Sequence, residues 1–231
     1  MKLSDIHRKV RNRWKKFRLQ PLRVFCLHHV SAIYVPESMN RGDWMQIDEF
    51  KSKVLSLQQD GVEFISLQGA YEHIKHDFVR TKKYAVLAFD DGYASLKEVL
   101  PWLDEQKLPC TLFINGKYLD GKSYRKNPKE CYLTIDDLDT LYRLYPLITI
   151  ASHGWDHTDA TQMPLDEFKQ NIVQNFESLK TYPRHIPFHA YTWGRHTSDT
   201  DAYLLSKKII PVYIDGMKNY NDAKVIHREL L

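Results

Sequence analysis

Seven short runs of β-branched and aromatic residues recur along the chain, each parted from the next by an amphipathic stretch. They are RVFCLH (23–28), EFISL (63–67), YAVLAF (84–89), CTLFIN (110–115), ITIAS (148–152), PFHAY (187–191) and IPVYID (210–215). Predicted helices fall between them near 48–60, 68–76, 95–107, 135–145, 165–181 and 198–208. Strands that alternate with helices pair in parallel, because each crossover must return the chain to the same end of the sheet. The expectation is therefore one α/β domain organised as a mostly parallel sheet or barrel. In such folds the loops leaving the carboxyl ends of the strands gather on one face. His28 and His29 end the first run, Asp90 and Asp91 follow the third, His153 and His157 the fifth, and Tyr191 to Arg195 the sixth. All of these residues should meet on one rim.

Local punctuation supports the helices. Asp48 can cap the first, with Gly61 just past its end, and Thr134 with Asp137 has the spacing of a capping box. Pro101 interrupts SLKEVLPWLDEQ and predicts the first turn of a restarted or kinked helix. Residues 117–133 form one long polar loop, of the kind that contacts substrate over a barrel mouth.

Charge separates the chain into two parts. Residues 1–20 carry eight Lys/Arg against one acid, whereas the rest of a chain of net charge +4 is slightly acidic. A basic nucleic-acid-binding body is therefore excluded. Within residues 1–21 Leu3, Ile6, Val10, Trp14 and Phe17 recur at steps of three and four, which predicts a basic amphipathic helix ahead of the α/β domain at 22–231. Such a helix can dock on the body or make peripheral contact with an anionic membrane. Residues 1–25 contain no uninterrupted apolar run of the secretory type, and Cys26, Cys110 and Cys131 show no CxxC spacing. The expected setting is the cytoplasm, with docking of residues 1–20 on the body the favoured reading and membrane association the alternative.

The stretch AFDDGYAS (88–95) places two carboxylates side by side after an apolar strand. Burying both costs several kcal/mol each unless a cation or hydrogen bonds compensate. SHGWDH supplies His153 and His157 four residues apart on a neighbouring strand's loop. The spacing alone is weak in a chain of eleven histidines, and His185 and His189 repeat it across Pro187 in an extended segment, where the rings are held apart. Two imidazoles and one carboxylate leave an open position on a divalent ion, the arrangement of a hydrolytic rather than a structural site. The second aspartate is then available to take a proton from water on that ion.

The residues KKYAVLAFDDGYASLKEVLPWLDEQKLPCTLFING resemble the polysaccharide deacetylase family, the NodB-homology domain, whose first motif is TFDDG and whose second is HxxxH. The resemblance extends through RVFCLHHV, similar to an opening strand that ends in Tyr-His, and DEFKSKVLSLQQDGVEFISL, and reaches HAYTWG, similar to the FAYPYG form of a third motif. It implies a distorted (β/α)7 barrel, with Asp90 as general base, Asp91, His153 and His157 as metal ligands, and a divalent metal ion, Zn2+ or similar. It further implies an oxyanion donor at the backbone N–H of Trp193. VIHREL places His227 where the family has its LxIH motif, which makes it the candidate catalytic acid, while His28 can line the site.

Three departures stand out: Ala88 replaces the usual Thr, Thr192 stands where the third motif has Pro, and the Arg of the longer third motif is missing. Arg195 or Arg228 can orient Asp90 in its place, and with Tyr191 and His28 these complete the expected substrate-binding set. The resemblance implies a metal-dependent deacetylase acting on an N-acetylated or lipid-linked saccharide in bacterial surface polysaccharide synthesis, lipopolysaccharide or capsule. The alternative is a catalytically impaired carbohydrate-binding or scaffold homologue.

Overall fold

The computed structural model describes residues 22–35, 41–76, 82–125, 131–217, 219 and 224–231. The basic segment 1–21 lies outside them. Ten strands form in chain order: β1 (Leu22–Leu27), β2 (His29–Ser31), β3 (Trp44–Gln46), β4 (Val62–Phe64), β5 (Lys83–Phe89), β6 (Cys110–Ile114), β7 (Ile148–Ser152), β8 (His185–Ala190), β9 (Ile210–Ile214) and β10 (Ile226–Leu230). The helices are α1 (Ile47–Gln59), α2 (Leu67–His76), α3 (Leu96–Glu105), α4 (Ile135–Leu144), α5 (Leu165–Leu179) and α6 (Ser198–Ser206).

The main sheet closes on itself. β1 pairs in parallel with both β5 and β10, and β5 to β10 follow in sequence around the ring, giving a seven-stranded parallel barrel with helices between strands. Its membership differs from the sequence expectation. EFISL yields only the short β4, which pairs with β5 over Lys83–Ala85 and takes no part in the closure, while IHREL, read from sequence as a motif rather than a strand, supplies the seventh member, β10. β2 and β3 form a separate two-stranded parallel sheet, matching His29 to Trp44.

Strand side chains alternate between two layers. Leu22 and Val24 of β1, Val86 and Ala88 of β5, Phe113, Ala151, Phe188, Ala190, Val212 and Ile226 face one cluster, which Leu67, Ala70 and Ile74 of α2 complete. The intervening residues, such as Phe25, Leu27, Leu87, Phe89, Leu112 and Ile150, pack outward against the helices. Continuing the inner phase past the carboxyl ends of the strands leads to His28, Asp90, Asn115, His153 and, within β10, Arg228. The barrel's own periodicity therefore selects which side chains can meet at the mouth.

Two helix details correct the sequence reading. α1 is capped by Gln46, whose Oε1 accepts from Asp48 N at 2.6 Å and Glu49 N at 3.0 Å, because the helix begins at Ile47 and already contains Asp48. Pro101 lies inside α3 rather than opening a second helix. An internal proline costs about 3 kcal/mol. Leu96, Val99, Leu100 and Leu103 of the same helix are buried, at about 1.5–3 kcal/mol each, and outweigh it. The capping box at Thr134 and Asp137 is present in both directions. No helix among the described residues is long and apolar enough to cross a membrane.

Candidate active site

Asp90 continues β5, its N–H still bonded to Leu27 O at 2.8 Å, and its side chain turns into the barrel. The chain then reverses through Asp91 (φ 69°) and Gly92 (φ 75°), both in the left-handed region. A Cβ at residue 92 would lie 2.9 Å from Ile114 Cδ1, so both the backbone angle and the space require glycine. This turn separates the carboxylates. Asp90 faces Arg228, which donates from Nη1 to Oδ1 at 2.6 Å and from Nη2 to Oδ2 at 2.9 Å. Asp91 faces His153 and His157, with Nε2 atoms 3.3 Å and 3.1 Å from its Oδ1.

Asn115, at the end of β6, donates to the carbonyls of His153 and Gly154 at 2.6 and 3.0 Å and so holds the histidine loop. Asn175 of α5 supports it from behind, donating to Ile114 O and Ser152 Oγ. His157 is itself left-handed (φ 59°), which returns its ring to the same point as His153.

A metal ion fits the chemistry of this donor set. His153 Nδ1 lies 2.8 Å from Ala190 O, a pure acceptor, so Nδ1 carries the proton and Nε2 of the neutral ring presents a lone pair. Arg125 Nη1 donates to His157 Nε2 at 2.8 Å, which makes that nitrogen an acceptor too. Two imidazole lone pairs thus confront a carboxylate oxygen that makes no well-aligned hydrogen bond of its own. Three acceptors facing one another need a cation between them. One potential ligand atom from each of Asp91, His153 and His157 lies within 4.8 Å of the others. The separations of 3.1 and 3.3 Å are close to the about 3.4 Å between neighbouring ligands on a tetrahedral zinc with ~2.1 Å bonds.

Electrostatics keep both carboxylates ionised. Burial alone would raise Asp90, but the charge of Arg228, then His153, and the Arg228 hydrogen bonds hold it at about 2. Burial likewise opposes ionisation of Asp91, and His153 and His157 in their protonated form outweigh it, holding the carboxyl well below the usual range. His153 is pushed up despite its burial because both aspartates lie against it, whereas burial lowers His157.

The remaining expected residues divide by strand phase. His28 stands at the break between β1 and β2, and one of its ring nitrogens lies within 4.8 Å of an Asp90 oxygen and Cys26 Sγ. Trp193 (φ 52°) overhangs the site, its ring edge-on to His157 at 4.7 Å. His227 is not brought to the cluster. It precedes the inward Arg228 on β10, so it turns to the outer layer, where Nδ1 pairs with Asp215 at 2.9 Å. Tyr191 is likewise in the outer phase, buried against Phe168 and Tyr213 with its hydroxyl on Asp201. Arg195 pairs with Asp159 at 2.8 Å, leaving Arg228 as the arginine that orients Asp90. Thr192, in the place of the motif's proline, donates to Thr158 O at 2.7 Å.

Several contributors escaped sequence reasoning. Arg125, from the polar loop, also reaches Asp91 Oδ2 at 3.4 Å and Tyr93 Oη at 2.9 Å. Cys26 is buried and donates to Asp90 Oδ2 at 3.4 Å. Inner-face phase would have pointed to Cys26 and Asn115. Nothing in the loop composition singles out Arg125 among its basic neighbours.

Barrel and mouth together define a NodB-type (β/α)7 fold with a carboxylate and two imidazoles converging at its carboxyl-terminal rim. The chain belongs to the polysaccharide deacetylase family, since residues 79–209, more than half its length, match the family model described as Polysaccharide deacetylase. Among solved structures it is similar to IcaB from Ammonifex degensii, with 22% identity, 92% of each chain covered and a TM-score of 0.76. The Streptococcus pyogenes deacetylase PplD in complex with acetate is 18% identical over 91% of this chain and 92% of that one, with a TM-score of 0.75. A de-N-acetylase from Aggregatibacter actinomycetemcomitans is 20% identical, covering 91% and 94%, with a TM-score of 0.72. At these identities the likeness establishes the fold. A search of curated proteins found no match.

Proposed function

We propose that the protein is a metal-dependent deacetylase that hydrolyses the acetamide of an N-acetylated sugar. The observation that carries this reading is the pairing of two unlike carboxylates: Asp91 against two imidazole lone pairs, Asp90 against Arg228. Asp91, His153 and His157 would hold the ion. Bound there, a divalent ion such as Zn2+ supplies Lewis acidity toward a carbonyl oxygen and acidifies water.

The chain's own groups perform the proton transfers. Asp90, kept ionised and aimed by Arg228, accepts the proton of the attacking water. The backbone N–H of Trp193, on a strained turn above His157, donates to the developing oxyanion, a role worth about 3 kcal/mol in comparable sites. His28 donates the proton that the departing amine needs. It replaces His227 in this role because it adjoins Asp90, whereas His227 faces the outer layer. The proton that Asp90 gains and the proton that His28 loses balance across one turnover.

Two similar structures, a deacetylase in complex with acetate and a de-N-acetylase, support the choice of acetamide substrate. We further propose a lipid-linked or surface-polysaccharide saccharide, of lipopolysaccharide or capsule type, met at the cytoplasmic face of a membrane. What supports that setting is the basic, apolar-striped segment 1–20. The test is acetate release from a panel of N- and O-acetylated saccharides, with and without chelator. Metal-dependent release from an N-acetylated member is expected, and no release from any member would reject the activity.

A further inference from the structure

A cavity of about 130 Å³ opens beside His28, between the carboxyl ends of β1 and β10 and the small β2–β3 sheet. Cys26 and His28 form its shared wall with Asp90, and its other walls include Asp43, Trp44 and Met45. None of the three metal-ligand candidates lines it.

The indole of Trp44 is half-buried, and its Nε1–H donates to Ser31 Oγ at 2.9 Å, which fixes the ring plane. His29 also lines the cavity. It is only 2% exposed, stacks on Tyr93 at 3.5 Å, and both its ring nitrogens lack a hydrogen-bond partner.

The direction of the reaction assigns the occupant, and this step rests on the proposed function. The acyl carbon must lie at the ligand cluster and beneath Trp193, and the nitrogen must lie at His28. Whatever is attached to that nitrogen therefore extends to the far side of His28. We propose that this cavity is the subsite for the pyranose ring that bears the acetamide. A fixed indole and a methionine suit the apolar C–H face of a pyranose, and Asp43 accepts from its hydroxyls or from the ammonium formed at turnover. At about 130 Å³ the cavity admits no more than one ring, so recognition centres on the residue that loses its acetyl group while the rest of a saccharide chain runs over the rim.

The test compares two substrates of the metal-loaded full chain. One is the best saccharide from the panel, and the other is vinyl acetate, whose two-carbon leaving group leaves the cavity unfilled. In Trp44→Ala, kcat/KM for the saccharide should fall about tenfold more than for vinyl acetate, mainly through KM, and Trp44→Phe should restore most of the difference. Asp43→Asn should show the same bias without removing packing. Equal losses on both substrates, or no loss on either, would overturn the subsite. Vinyl acetate turnover by the unsubstituted protein with no saccharide turnover would instead reject the sugar reading itself.

Discussion

Arg228 holds both carboxylate oxygens of Asp90 from 138 residues away, Nη1 on Oδ1 at 2.6 Å and Nη2 on Oδ2 at 2.9 Å, with neither residue accessible to solvent beyond a few per cent. Removing one partner of a buried, bidentate pair strands the other charge. Arg228→Met should therefore lower stability by about 3–5 kcal/mol in urea unfolding. Arg228→Lys, which keeps the charge but not the fork, should fall between that variant and the native chain.

The same pair sets a pH dependence. Asp90 titrates at about 2 in the folded chain against an ordinary value of 3.8, so its pKa is depressed by folding. Its contribution is fully present above the unfolded value and is lost as pH falls through 4 toward 2. The loss is on the order of 2 kcal/mol. Unfolding free energies measured from pH 6 to pH 2 should show that decrement in the native chain, and Arg228→Met should lack it.

Arg125 and a cation cannot both use the lone pair of His157 Nε2, which the guanidinium approaches to 2.8 Å. Arg125→Ala should tighten binding of Zn2+ or Co2+ by about tenfold, since a neighbouring positive charge and a competing hydrogen bond are both removed. Competition titration against a chromophoric chelator measures this directly. Unchanged affinity would mean that the arginine moves aside without cost.

Gly92→Ala tests the turn that separates the carboxylates. An added Cβ meets Ile114 Cδ1 at 2.9 Å on a backbone at φ 75°. A loss of about 1–3 kcal/mol is expected from the strain, with weakened metal uptake because Asp91 swings with the turn. Thermal unfolding and metal titration on the same sample separate the two effects.

His28→Gln and His227→Gln distinguish the candidate proton donors. The first should cut kcat about 10²–10⁴-fold with metal binding retained, as expected for loss of a general acid. The second should leave kcat within a few-fold, because its ring pairs with Asp215 on the outer face.

Much of this molecule was legible in its sequence, for reasons that also explain the failures. Strands with one uniformly apolar face announced the barrel, whereas β10 reads Ile-His-Arg-Glu-Leu, and of its inward residues Ile226 is followed by Arg228, a charge neutralised by Asp90. An inner face interrupted by an ion pair breaks the hydrophobic pattern that would reveal the strand. EFISL was apolar enough to pass for a barrel strand, yet three of its neighbourhood's residues pair only with the start of β5. The Asp-Asp and HxxxH motifs marked the donor set because both follow strand ends. Assigning His227 and Tyr191 to the site ignored a one-residue phase shift, which moves a side chain from the inner layer to the outer one. Arg125 depends on how a polar loop folds back, and no periodicity governs that.

The proposed mechanism divides the labour of the two carboxylates: Asp91 would hold an ion and Asp90 would not. Elemental analysis of metal per chain, in purified Asp90→Asn and Asp91→Asn equilibrated with equal zinc, tests it most directly. One ion per chain is expected in Asp90→Asn, with acetate release abolished, and almost none in Asp91→Asn. Full zinc occupancy in Asp91→Asn, or its loss in Asp90→Asn, would contradict it.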